Sequence, residues 1–230
     1  MCSKTLRQIP PRWYIRLSIV ILTFTALSSF LTQQGTGSWS LFTLHPALMI
    51  IAFGGLMSEG VIHYRLSTAK LEQARIAHGL IFGMVFLLAL LSLIVIVANK
   101  INIKHEIYPH TAHAICGTIT LCFLFYQATS GVSKLRWLWK TDEKIYRQHG
   151  KCGVYIIYVL GMVTMLLGFY KVEEGWSFYI AAVALVSLLL LVLHTFLRRP
   201  RTVVDVYAQI AAEEVASLAD IDILDTLDFS

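Results

Sequence analysis

The sequence predicts an all-α fold, a six-helix bundle that crosses a membrane. Three observations carry that prediction. Hydrophobic residues make up 57% of the 230-residue chain and charged residues only 14%, where a soluble domain carries about 25% charged residues. The apolar residues gather into six runs, each long enough for a helix to cross a hydrocarbon core about 30 Å thick. The basic residues lie overwhelmingly on one side of those runs. So little polar surface argues against a soluble enzyme, a nucleic-acid-binding domain and a disordered chain.

The runs fall at 14–31, 41–62, 76–98, 112–132, 152–170 and 177–197. The first follows Lys4, Arg7 and Arg12 and has Arg16 in its opening turn. It reads as an uncleaved anchor, because it is long for a signal-peptide core. The second carries His45 near its start and Glu59 and His63 near its end. The third opens on His78, the fourth on His113, and the fifth follows His149. The sixth is followed by Arg198, Arg199 and Arg201. No run shows the short alternating pattern of a membrane β-barrel strand. The division expected is a 1–13 leading segment, a 14–197 membrane domain and a 198–230 tail. The tail holds half of the 14 acidic residues and reads as a solvated segment.

Sixteen of the 19 Lys and Arg flank the runs on one side, and Lys100, Lys104 and Lys171 are on the other. The positive-inside rule then puts both termini in the cytosol, and the net charge of +5 needs no nucleic-acid partner. All five Trp flank spans, where amphipathic rings anchor at the membrane surface. Cys2, Cys116, Cys122 and Cys152 show no CxxC spacing, and the three that lie in or beside apolar runs read as small buried hydrophobes rather than a disulfide frame.

Four of the eight His form a pattern. His45, His78, His113 and His149 are 33, 35 and 36 residues apart, one helix plus one connection each time. Spans two and four start on the non-cytosolic side, so His45 and His113 share a depth there. Spans three and five start on the cytosolic side, which matches His78 with His149. A single His near a helix end is ordinarily an interfacial or hydrogen-bonded residue. Four at matched depths in alternating helices make two facing pairs, and a facing pair can hold a metal within a flat macrocycle. Imidazole suits iron, and zinc is disfavoured because no Cys or acidic ligand accompanies the pairs. Gly54, Gly55, Gly79, Gly83, Gly117, Gly150, Gly153, Gly161 and Gly168 would let a planar group or a neighbouring helix come close. His110, three residues before His113, is the main rival ligand.

The segments LFTLHPALMIIAFGGLMSEG, ARIAHGLIFG, TAHAICG and IYRQHGKCG, in this order and with these intervals, resemble the cytochrome b561 family of transmembrane ascorbate-dependent reductases. The resemblance covers about residues 14–197 and is greatest to members made of little more than this one domain. It implies six helices, with a four-helix haem-binding core in spans two to five. It also implies two b-type haems per chain, one on His45 and His113 and one on His78 and His149. The implied reaction passes electrons from cytosolic ascorbate to monodehydroascorbate or ferric iron on the other side. Better-known members have Ser and Trp where this chain has Ala114 and Ile115, which removes support for an acceptor role there.

An anionic donor needs positive charge, and Arg65, Lys70 and Arg75, in the connection leading to His78, are the substrate-binding candidates. On the far side Lys100, Lys104, His105, His110 and Lys171 could meet an anionic acceptor, and Glu106, Glu173 and Glu174 a ferric one. Glu59 either pairs with His63 or serves a haem group, and His194 reads as snorkelling to the interface. Membrane lipid is the implied surrounding, an endomembrane is favoured over the plasma membrane, and family members can be homodimeric. Two readings compete: a proton-coupled or metal transporter that uses the His and Glu59, and a haem-free scaffold that binds through its tail.

Overall fold

A chain segment inside hydrocarbon must satisfy its backbone polar groups internally, and a helix does so within one segment. The computed structural model describes residues 12–33, 41–66, 71–103, 108–138, 151–172 and 176–197, and nearly all of them are helical. Helix α1 spans Arg12–Gln33 and α2 spans Leu41–Met49. An eight-residue π-helical segment, Ile50–Met57, follows directly and runs into α3, Ser58–Leu66. Then come α4 (Leu71–Asn102), α5 (Ala112–Leu138), α6 (Lys151–Val172) and α7 (Trp176–Leu197).

Five stretches are long and apolar enough to cross a membrane: Trp13–Thr32, Leu41–His63, Ile76–Asn102, Ala112–Ser133 and Gly153–Tyr170. The expected sixth span is the 22-residue α7, whose apolar part among the described side chains is the shorter Tyr179–Thr195. The helices outrun their expected spans, α4 the most among them at its two ends together. The 32 residues of α4, at about 1.5 Å each, are about 48 Å long, well over the hydrocarbon thickness. Arg65 and Arg75, expected in a connection, therefore lie on the helical ends of α3 and α4.

The second span is one continuous run of three segments in two hydrogen-bonding patterns, α, π and α again. Pro46 withholds an N–H from the α2 ladder, and Gly54-Gly55 lies inside the π segment. Ile50, Ala52, Phe53, Gly54 and Met57 of that segment are all buried. They pack against α1, α4 and α6, and Leu185 and Leu188 of α7 rest against Gly54. At its end the Ser58 hydroxyl reaches the Phe53 carbonyl at 3.4 Å and the Tyr158 hydroxyl of α6 at 2.9 Å. Both Ser58 and Tyr158 are fully buried.

The core is a cluster joining α1, the π segment, α3, α4, α5, α6 and α7. On α4 the buried Val85, Ala89 and Ser92 face inward, while Leu80, Met84, Leu87, Leu91 and Ile94 form an exposed apolar stripe. Such a stripe at helical spacing fits a lipid-facing surface. In lipid, helices associate by close packing rather than by hydrophobic exclusion. Two glycines show this on α6. A Cβ at Gly161 would run into the Phe53 ring, and one at Gly168 would sit 2.8 Å from the His113 ring. Gly79 and Gly83 instead face open space. Cys116 is half-buried, but Cys122 is exposed, contrary to the expectation of burial.

The described residues up to Thr195 make one unit. The expected boundary of the acidic tail, from residue 198, lies outside the described residues.

Candidate functional site

His113 owes its position to a helix cap. The Thr111 hydroxyl accepts the Ala114 N–H at 3.3 Å, and the Thr111 carbonyl accepts the Ile115 N–H at 2.9 Å. Thr111 thus caps α5 and puts His113 in the first turn. The ring then lies on Gly168 of α6. One turn before that glycine, the Thr164 carbonyl lies 2.8 Å from His113 Nδ1. Thr164 is tied in turn to Thr120 of α5 by a 3.3 Å hydroxyl contact.

His45 lies in α2 against α4. Its Nδ1 is 2.7 Å from the Ser92 hydroxyl and 3.1 Å from the Ser92 carbonyl. Ser92 is fully buried, and its hydroxyl also reaches the His45 carbonyl at 3.0 Å.

These contacts assign the tautomers. A carbonyl oxygen can only accept. Nδ1 of each ring faces one, so Nδ1 carries the hydrogen on both His45 and His113. Nε2 is then the lone-pair nitrogen on each ring, and among the described residues no hydrogen bond engages it. The two rings are neighbours, with centroids 6.3 Å apart and planes at 86°. Two metal–imidazole bonds of about 2 Å each, with about 1 Å from each nitrogen to its ring centre, total about 6 Å. The pair is thus spaced for one metal between two neutral imidazoles, each held from behind by a neighbouring helix.

Among the described residues, no three His, Cys, Asp or Glu side chains come together. A metal held between the two rings would leave its remaining positions open to a planar ligand such as a porphyrin. The four elements that supply the contacts, α2, α4, α5 and α6, come from the second to fifth apolar runs.

The other sequence-derived residues are distributed as follows. His110 is exposed, with Nδ1 3.2 Å from the Tyr108 carbonyl, so His113 and not His110 faces His45. His78 is half-buried on α4 with its ring 4.5 Å from Phe82. Phe82 in turn packs where Gly60 of α3 has no side chain. His149, the expected partner of His78, lies outside the described residues, as do Lys70, Lys104, His105, Glu106, Glu173 and Glu174. The side chains of Arg65, Arg75 and Lys171 lie outside them too.

Glu59 meets His63 at 3.5 Å, as the spacing suggested, and also Arg16 of α1 at 3.0 Å. The Arg16 pairing has no local sequence signal, since it joins two spans. Ser92 and Thr164 were likewise missed. Ser92 looks like any small residue in an apolar run, and Thr164 acts through a backbone carbonyl that every residue possesses.

The model of the family described as eukaryotic cytochrome b561 matches residues 44–174. That range starts just before His45 and ends in the connection before α7, so it contains every contact of the histidine pair. Among curated proteins, the chain is 27% identical to the transmembrane reductase CYB561D2 of Mus musculus, over 71% of this chain and 77% of that protein. It is 28% identical to the Homo sapiens protein of the same name, over 65% and 69%. It is 30% identical to the probable transmembrane reductase CYB561D1 of Mus musculus, over 70% and 74%.

Proposed function

The chain belongs to the eukaryotic cytochrome b561 family, and from that premise we propose that it is an ascorbate-dependent transmembrane reductase with two b-type haems. The observation that carries the reading is the His45–His113 pair, 6.3 Å between ring centres, with both Nδ1 atoms bonded to carbonyls of neighbouring helices. His45 and His113 would hold one haem, and His78 and His149 the other, toward the opposite ends of the α2 to α6 core. Haem held in this way supplies one-electron chemistry.

The chain's own residues do the rest. The Ser92 and Thr164 carbonyls keep each Nε2 available as the ligand atom and fix the ring planes. Gly168 leaves room for the His113 ring against α6. The apolar walls of α4 and α5 keep water from the middle of the bundle. Arg65, Lys70 and Arg75, near the His78 end, would attract and orient the anionic donor. In this reading both termini and the donor are cytosolic, the membrane is an endomembrane, and the acceptor on the far side is monodehydroascorbate or ferric iron.

The test is an optical spectrum of the protein purified in detergent, oxidised and then reduced with ascorbate, with haem measured per chain. Two haems are expected, at least one reduced by ascorbate, and His113→Ala is expected to lose one of them. Liposomes loaded with ascorbate should then reduce an external ferric chelate only when they contain the protein. Folded protein without haem would overturn the reading and favour the transporter or the scaffold.

A further inference from the structure

The two histidines of the facing pair are held unequally. His113 Nδ1 donates to a backbone carbonyl, Thr164 O, at 2.8 Å. No substitution at position 164 removes that acceptor. His45 Nδ1 has two acceptors on one residue, the Ser92 hydroxyl at 2.7 Å and the Ser92 carbonyl at 3.1 Å. The shorter contact is to the hydroxyl, which a single substitution removes.

That hydroxyl has one hydrogen and lies near two atoms of His45, Nδ1 and the carbonyl oxygen. Nδ1 already carries a hydrogen because it faces the Ser92 carbonyl. The hydroxyl must therefore accept from Nδ1 and give its own hydrogen to the His45 carbonyl at 3.0 Å. Every donor and acceptor is then satisfied, and the reverse assignment would set the Ser92 carbonyl against a lone pair. The result is a closed loop: imidazole N–H to serine oxygen, serine O–H to the carbonyl of the same histidine. It fixes the ring to its own backbone from a neighbouring helix, in a site with no exposure at Ser92.

We propose that Ser92 is a positioning residue for His45, and that through this loop it sets the orientation and electron donation of His45 toward the haem it shares with His113. The inference rests on the haem-ligand role given to His45 above. An acceptor on the far nitrogen makes an imidazole a stronger electron donor and stabilises the oxidised metal. Losing the hydroxyl leaves only the longer carbonyl contact, so the ring donates less and its plane is less constrained.

The experiment is a spectroelectrochemical redox titration of full-length wild type, Ser92→Ala and Ser92→Thr in detergent, with ferric electron paramagnetic resonance spectra of each. In Ser92→Ala one of the two haem components is expected to shift to higher midpoint potential while the other stays put. The low-spin ferric signal of the shifted component, which reads the angle between ligand planes, is expected to change with it. Ser92→Thr, which keeps the hydroxyl, is expected to return both readouts to wild-type values. A residue that merely filled space would alter stability or haem content without moving one potential selectively. Wild type with two haems and a Ser92→Ala titration that superimposes on it overturns this inference alone. Wild type without haem overturns the proposed function and this inference together.

Discussion

A methyl group at position 168 would lie 2.8 Å from Cε1 and 2.9 Å from Nδ1 of His113, closer than carbon and ring atoms can pack. Gly168→Ala is therefore expected to push the imidazole off the Thr164 carbonyl and to lower haem content by up to one of the proposed two per chain, measured by haem assay against protein concentration. The cap beneath the same histidine is a separate contribution. Thr111→Val keeps the volume but removes the acceptor for the Ala114 N–H, and should cost about 1 kcal/mol, read from thermal unfolding in detergent. At this scale the histidines were legible, while of their supports only Gly168 stood out, as one of nine glycines singled out in or beside the spans. Four His at regular intervals stand out from an apolar background. The groups that orient His45 and His113 are a serine, a glycine among 14 and two backbone carbonyls, and only their three-dimensional placement distinguishes them.

Among the elements, the second span differs most from what the apolar pattern suggests. A run of hydrophobic residues reads the same whether its backbone bonds close four or five residues back, so 41–62 was legible as a helix and Ile50–Met57 was not legible as π-helical. Pro46 and Gly54-Gly55 were the available hints, and both are equally compatible with a kink or with close packing. The segment is held by the ring of Phe53 against Gly161 and by the Ser58–Tyr158 hydrogen bond. Gly161→Ala is expected to destabilise the protein by about 1–3 kcal/mol through overpacking. Tyr158→Phe removes only the hydroxyl and should cost about 1 kcal/mol. Comparing their melting temperatures separates the packing contribution from the hydrogen bond.

At the scale of the whole molecule, the family match covers the central spans and leaves out α1 and α7. These outer helices have to be attached by contacts of their own. For α1 these include Phe30 against Phe169 of α6, ring centres 5.9 Å apart, and the Arg16–Glu59 ion pair. Arg16 is 44% exposed, so Glu59→Gln should cost no more than about 1 kcal/mol. It is expected to speed proteolysis near α1 while leaving haem content unchanged. Either a loss of haem or wild-type proteolysis would refute that placement of the pair. The bundle and its helical order were legible because the bilayer imposes length and apolarity on every span. Which helices touch was less so, because lipid-facing and buried positions are equally apolar and the contacts depend on small residues and isolated polar groups.

The π segment also affects how this chain can be recombined with its relatives. Each residue in it turns the chain less than an α-helical residue does, by about 15–20°, so over eight residues the lag reaches more than a quarter turn. His45 and the Glu59–His63 pair are therefore indexed to different wheels, like two gears keyed at an offset on one shaft. A hybrid spliced inside 50–57 from a relative with an uninterrupted α-helix would keep one end in register and rotate the other out. Splice points in the connections on either side of the span, which move both ends together, are expected to give hybrids that fold and bind haem.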